Sequence, residues 1–143
     1  YPSGVKGTPV EVAESITPLI FWKKEYRPDS GGAGRTRGGL GQIIELGSRI
    51  GKPFDLLAAF DRIDHPPRGF DGGSNGGAGG VALASGVKLK GKGFQTIPAD
   101  ERLVILTPGG GGLGDPKTRD EILLAKDLSE GLVTEEGAKV YRP

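Results

Sequence analysis

The sequence predicts a mainly β fold, in which glycine-rich antiparallel strands form a sandwich or barrel-like core and one or two short helices follow at the C-terminus. Three observations support this fold class. Apolar residues make up 35% of the 143-residue chain and arrive in compact runs, as at residues 102–106. The 27 glycines and 11 prolines separate these runs in the manner of turns. The helical period of apolar residues begins only after residue 117.

The predicted strands are the short stretches in which apolar residues alternate or cluster. The first of them places Val10 and Val12 on either side of Glu11. Pro18 interrupts the pattern before the second strand, which indicates an edge strand or a bulge. The last is apolar on both faces, as in a strand covered on both sides. In chain order the predicted strands lie at residues 8–13, 19–26, 40–46, 54–60, 81–83, 87–89 and 103–106.

Two short helices are predicted at the C-terminus. Thr118 and Glu121 have the spacing of a capping box in front of an apolar helical pattern at 122–128. Gly131 suits the position just after the end of this helix, where a positive φ is common. Thr134 is a candidate cap for a second short helix.

Composition excludes several classes of partner and site. The net charge of +1 gives no support for a nucleic-acid or membrane partner held by bulk electrostatics. The chain has no cysteine, which rules out disulfides and thiolate metal sites. Its apolar runs are far shorter than the ~20 residues that a bilayer requires. We therefore expect a cytoplasmic protein. Because the chain opens with Tyr1-Pro2-Ser3-Gly4 and not with methionine, we also expect that further polypeptide precedes it.

The glycine run at 109–114 follows the last predicted strand and precedes the helical pattern. Gly109, Gly111 and Gly114 match the G-x-G-x-x-G spacing with which dinucleotide-binding folds approach a pyrophosphate. However, Asp115-Pro116 intervenes before the helix, and the remaining chain is too short for a second βαβ unit. A tight turn against another domain or subunit is the preferred interpretation, with nucleotide binding as the lesser alternative.

Residues 35–39, which include Arg35 and Arg37, resemble a short RGG element. A single copy among predicted strands of a nearly neutral chain argues against RNA. Two interpretations stay open: the arginines bind a carboxylate, a phosphate or backbone carbonyls at an interface, or they lie in a solvated hairpin loop.

A long loop rich in proline, glycine and asparagine spans residues 64–80. A loop of this length usually means function, an interface or mobility. It contains His65, near Asp61 and Asp64, and this trio offers nitrogen and oxygen ligands suited to Mn²⁺, Fe²⁺ or Zn²⁺. One histidine before two prolines is more typical of a loop residue than of a metal ligand. The sequence therefore predicts neither a catalytic residue nor a metal site within this chain.

Several motifs occur in a fixed order along the whole chain. They are Gly7-Thr8-Pro9-Val10-Glu11-Val12, Arg27-Pro28-Asp29-Ser30-Gly31-Gly32-Ala33-Gly34, Arg37-Gly38-Gly39-Leu40-Gly41, Asp61-Arg62, Pro66-Pro67, Gly69, Gly72-Gly73, Thr107-Pro108-Gly109-Gly110-Gly111-Gly112, Gly114-Asp115-Pro116, Asp127, Glu130-Gly131 and Val133-Thr134. In this order they resemble the C-terminal part of hydantoinase B/oxoprolinase proteins. The chain departs from that pattern at Arg68, where the family commonly has tryptophan, and at Ala99, where it usually has glycine.

The resemblance implies that residues 1–143 form a single domain at the C-terminal end of a larger subunit. Such a subunit works with an ATP-using subunit or domain of the hydantoinase A type. The pair hydrolyses cyclic amides such as 5-oxoproline, hydantoin or N-methylhydantoin at the expense of ATP. The implied alternatives are a subunit of an ATP-dependent ketone carboxylase and a non-catalytic assembly domain. The expected partners are the hydantoinase A-type subunit and the upstream part of the same subunit. ATP, Mg²⁺ and a possible second kind of divalent metal are expected in the complete enzyme and not in this chain, since the family's metal ligands lie upstream.

Seven residues are candidates for substrate or interface binding. Three are arginines, whose guanidinium groups can bind a partner. Four are glycines, which have no side chain and so allow another chain segment or a ligand to approach the backbone closely. The seven residues are Arg35, Arg37, Arg62, Gly109, Gly110, Gly111 and Gly112.

Overall fold

The computed structural model describes residues 7–142, so the opening segment Tyr1-Pro2-Ser3-Gly4 lies outside the described residues. Two α-helices, six strands and two 3₁₀ turns follow one another in the described part. The helices are α1 (Val10–Ile16) and α2 (Glu121–Ser129), and the 3₁₀ turns are Pro116–Thr118 and Gly137–Tyr141. The strands are β1 (Leu19–Tyr26), β2 (Gln42–Ser48), β3 (Phe54–Ala59), β4 (Gly80–Leu83), β5 (Lys92–Ile97) and β6 (Arg102–Leu106).

The strands form two antiparallel sheets, which confirms the predicted mainly β class. One sheet has the order β1-β2-β6-β4, and the other pairs β3 with β5. Leu46, Val81 and Leu103 of the first sheet share a buried cluster with Ile97 of the second, so both sheets contribute to one core. Among residues 7–142 the sheets stay open, and the barrel-like alternative is wrong.

The predicted strand at 8–13 is wrong, because these residues begin helix α1. The partly buried positions are Val10, Ala13, Glu14 and Thr17, which follow the helical spacing and not the period of two. Pro9 occupies the position before the first turn, where its missing N–H costs nothing. The Glu14 carboxylate then accepts a hydrogen bond of 2.7 Å from the Phe21 amide at the start of β1.

Strand β1 lies at the edge of its sheet, as Pro18 indicated, and its pairing register shifts between Phe21 and Lys23. The predicted strand at 87–89 is reduced to a single bridge between Lys88 and Ala82 at the outer side of β4. Strand β5 was not predicted, because Gly93 and the polar residues around it hide any apolar alternation.

Three glycine-rich segments, residues 30–41, 67–79 and 107–114, lie side by side and together form what we call the glycine layer. Their backbones bond to one another directly: the Gly110 amide donates to the Gly39 carbonyl at 2.8 Å, and Gly112 donates to Ser74 at 2.9 Å. A Cβ atom on Gly109 would lie closer than 3.0 Å to the carbonyl of Ser30. The glycines are therefore the condition for this packing and not only turn residues.

The C-terminal segment folds against the glycine layer. The cap of α2 is Asp120, whose carboxylate accepts from the Ile122 amide at 2.8 Å, and not the predicted Thr118. Gly131 has a φ of +68° just after the helix, as predicted. The Thr134 hydroxyl accepts from the Gly137 amide at 3.0 Å, but the turn that follows is of the 3₁₀ type and has Glu136, not the predicted Thr134, at its N-cap. Val133, Ala138 and Tyr141 are buried together there.

Candidate functional site

One candidate arginine of the 35–39 run, Arg37, meets a carboxylate from the far end of the chain. Arg37 donates from Nε to Oδ2 and from Nη2 to Oδ1 of Asp127, both at 3.0 Å. Arg119 donates from Nη2 to the same Oδ2 at 2.7 Å. Only 14%, 8% and 7% of the Arg37, Asp127 and Arg119 side chains are exposed, so water screens these pairs weakly. We call the three residues the arginine clamp.

The protonation of the clamp follows from its geometry. Burial alone would raise the pKa of Asp127, but the hydrogen bonds and positive charges of Arg37 and Arg119 outweigh it and lower the pKa below its ordinary value of 3.8. The hydrogen bond to Asp127 likewise raises the pKa of Arg37. Burial raises the pKa of the Tyr141 hydroxyl. The Tyr141 ring lies 5.7 Å from Cζ of Arg119. Asp127 and Arg37 are therefore held in their charged forms at neutral pH.

Arg35 lies beside the clamp without joining it through its guanidinium. Its carbonyl accepts from Nη1 of Arg119 at 3.2 Å, and its side chain lies against Gly114. The Arg35 side chain is exposed. The Arg119 Nε atom is buried and has no hydrogen-bond partner within residues 7–142.

The glycine run lies inside the glycine layer. Gly109 and Gly112 are buried, and Gly110 and Gly111 are partly buried. The amides that a pyrophosphate would need already donate to carbonyls: Gly109 to Gly77, Gly110 to Gly39, Gly112 to Ser74 and Gly114 to Phe70. This occupancy argues against the nucleotide-binding alternative, since a phosphate would have to displace four backbone hydrogen bonds. The prediction that the run meets another domain or subunit stays a prediction.

Arg62 lies apart from the clamp, in a groove along the loop that follows β3. We call it the loop groove. It is lined by Arg62, Asp64, His65, Pro66, Pro67, Arg68 and Asn75. Arg62 has a φ of +61°, a left-handed backbone that is costly for a residue with a long side chain. Asp61 points to Lys92, and the hydrogen bond between them at 2.5 Å lowers the pKa of Asp61.

The loop groove brings His65 and Asp64 together, but no group of three or more histidine, aspartate or glutamate side chains within residues 7–142 is placed to hold a metal ion. The described helices include none that is long and apolar enough to cross a membrane.

The sequence patterns named neither Arg119 nor Asp127 as a site residue. No local signal could have paired Asp127 with Arg37, 90 positions away.

Comparisons with known proteins agree with the family resemblance that the motifs indicate. Residues 1–116 match the family model described as Hydantoinase B/oxoprolinase. The chain is 39% identical over 118 residues to 5-oxoprolinase 1 of Arabidopsis thaliana, covering 80% of this chain and 9% of that protein. The crystal structure of an ATP-dependent caprolactamase from Pseudomonas jessenii matches with a TM-score of 0.76 and 26% identity, covering 93% of this chain and 24% of the solved chain.

A nucleotide-free structure of acetone carboxylase shares the fold, with a TM-score of 0.63 over 95% of this chain and 23% of the solved chain, at 20% identity. The chain thus spans about a quarter or less of the length of these relatives. It corresponds to their C-terminal region. The chain belongs to the hydantoinase B/oxoprolinase family.

Proposed function

We propose that residues 1–143 form a single domain at the C-terminal end of a larger cytoplasmic subunit. In this proposal the subunit belongs to an ATP-dependent cyclic amidohydrolase that opens the ring of 5-oxoproline, hydantoin or N-methylhydantoin. Its partner is an ATP-using subunit or domain of the hydantoinase A type. The observation that carries the proposal is the fold match to an ATP-dependent caprolactamase, at 26% identity over nearly the whole chain. The similarity to a 5-oxoprolinase supports the same class of substrate.

The role proposed for this chain is structural: it forms a rigid wall beside an active site whose catalytic groups lie in other parts of the complete enzyme. Activation of an amide oxygen by phosphorylation gives a reactive species that must be shielded from water, and a rigid wall of packed backbone can contribute to that shielding. The glycine layer offers such a wall, because its segments are bonded to one another through their backbones. ATP, Mg²⁺ and any other divalent metal are assigned to other parts of the complete enzyme, and no catalytic residue is assigned here.

The test is an assay of the complete subunit, purified together with its hydantoinase A-type partner. Ring opening and ATP hydrolysis are measured with 5-oxoproline, hydantoin and N-methylhydantoin as separate substrates. We expect at least one of them to be opened only when ATP is present. Consumption of acetone and bicarbonate, without turnover of any cyclic amide, would instead establish the carboxylase alternative.

The non-catalytic assembly role has its own support. The guanidinium of Arg37 is occupied by Asp127, and the amides of the glycine run by neighbouring carbonyls. Under this alternative, a variant that retains the complex retains turnover. Comparison of complex yield with kcat for Arg35→Gln, whose side chain is exposed, separates the two roles: a loss of kcat at full yield would contradict a purely assembly role.

A further inference from the structure

The loop groove is lined by two arginines, with the carboxylate of Asp64 beside them. Arg62 and Arg68 both line it and are exposed, and neither guanidinium has a hydrogen-bond or carboxylate partner within residues 7–142. Nearly all other arginines do have such partners, the exception being Arg35. They are Arg27 (Ala78 carbonyl), Arg37 (Asp127), Arg49 (Glu14 carbonyl), Arg102 (Glu45), Arg119 (Asp127) and Arg142 (Glu135). Two open guanidinium groups therefore share one groove.

The backbone of the groove is fixed on both sides. The carbonyl of Arg62 accepts from the Gly79 amide at 2.9 Å, which holds Arg62 in its left-handed conformation. The carbonyl of Arg68 packs against Gly111 of the glycine layer, where a Cβ atom would find no room. Pro66 and Pro67 limit the freedom of the chain between the two arginines. A conformation that is costly for Arg62 and is nevertheless held in place is typical of a functional position.

Polar groups beside the arginines define what the groove can accept. The Gly69 amide donates to Oδ1 of Asn75 at 3.0 Å, so the Asn75 amide nitrogen is the group left to donate to a ligand. His65 adds a ring N–H donor. Asp64 places one carboxylate in the same lining, which disfavours a polyanion but can accept a hydrogen bond from a ligand.

We propose that the loop groove is a binding site for a small molecule that carries one oxyanion, a carboxylate or a phosphate, next to a hydrogen-bond donor. Arg62 and Arg68 bind the oxyanion, since a guanidinium matches the planar spacing of two such oxygens. Asp64 accepts from the donor. The site concerns binding to this chain alone, so its test is independent of the turnover proposed for the complete enzyme.

The experiment is a ¹⁵N-NMR titration of the 143-residue chain at constant ionic strength. Inorganic phosphate probes the phosphate source, and 5-oxoproline probes the carboxylate source with a lactam N–H as donor. The matched neutral ligand is 2-pyrrolidinone, which has the same ring without the carboxylate. We expect saturable shifts for at least one anionic probe, confined to the amides of residues 61–65, 68, 69 and 75, and none for 2-pyrrolidinone.

Variants separate this site from general attraction of anions. Arg62→Asn removes the charge while asparagine tolerates the left-handed backbone, so the fold is retained. Arg68→Gln removes the second guanidinium. Each is expected to weaken binding by on the order of tenfold. Lys23→Gln, on an exposed lysine of β1, should leave binding unchanged. Shifts spread over the whole surface, no saturable binding of either anionic probe, or equal affinity in all variants would overturn the site.

Discussion

The carboxylate of Asp127 accepts hydrogen bonds from two guanidinium groups in a place that water hardly reaches. Substitution Asp127→Asn leaves Arg37 and Arg119 buried without a counter-charge. We expect the free energy of unfolding to fall by about 3–5 kcal/mol, the usual cost of breaking a buried ion pair from one side. Urea unfolding followed by circular dichroism measures this loss.

The control for Asp127→Asn is Glu130→Gln, at the residue that caps the C-terminal end of the same helix. Lys126 and Glu130 also form an ion pair, but 65% and 49% of their side chains are exposed. An exposed pair of this spacing contributes only ~0.3–0.5 kcal/mol, so this variant should unfold almost like the original chain. Equal losses in the two variants would contradict the buried role of the clamp.

The clamp also predicts how stability depends on pH. Burial opposes ionisation of Asp127, yet the two arginines lower its pKa below 3.8 in the folded chain. A carboxylate with a lowered folded pKa stabilises the fold above its unfolded pKa, and this contribution is lost as the pH falls through the folded value. The stability difference between the original chain and Asp127→Asn should therefore be constant at neutral pH and shrink below pH 3.8. A difference that persists unchanged through acid would contradict the prediction.

The secondary-structure elements show where local pattern sufficed and where it did not. Strand β6 was predicted almost to the residue, because residues 103–106 of this interior strand are a continuous apolar run, with Leu103 buried and the other three partly buried. Helix α1 was missed because Val10 and Val12 have the period-two spacing that is typical of a strand. The helical period is visible only in the pattern of partly buried positions in the structure. The glycine run was correctly predicted to be a loop. The residues that it packs against lie roughly 40 to 80 positions earlier in the sequence, so motif spacing could not identify them.

Packing within the glycine layer can be tested with a matched pair of alanine substitutions. Gly109→Ala would place a Cβ atom against the Ser30 carbonyl, whereas a Cβ on Gly39 meets no atom within 4 Å. We expect Gly109→Ala to cost about 1–3 kcal/mol, as overpacking does. Gly39→Ala should be neutral or stabilising by about 0.4–1 kcal/mol, since alanine has less freedom in the unfolded chain. Thermal or urea unfolding of both variants decides, and a similar response at both positions would contradict the proposed close approach.

For the molecule as a whole, the family match ends at residue 116, but the fold continues beyond it. The segment 117–142 provides Asp127 for the clamp and the buried cluster of Val133, Ala138 and Tyr141. Its Thr134 donates both its amide and its hydroxyl to the Asp29 carboxylate, at 2.9 and 2.7 Å. The motifs predicted the order of the segments along the chain. They could not predict which segments contact one another, because those contacts form only in the folded chain.

These contacts predict that residues 1–116 are not a stable unit without the segment that follows. A chain ending at residue 116 leaves Arg37 without Asp127, so we expect a loss of at least about 3 kcal/mol in the free energy of unfolding. Addition of a peptide spanning 117–143 should restore part of the loss in a concentration-dependent way, because binding to the folded state alone stabilises it. The same peptide with Asp127→Asn should restore less, since it brings no counter-charge to Arg37. Equal urea midpoints for the shortened and the complete chain would show that the segment is dispensable for the fold.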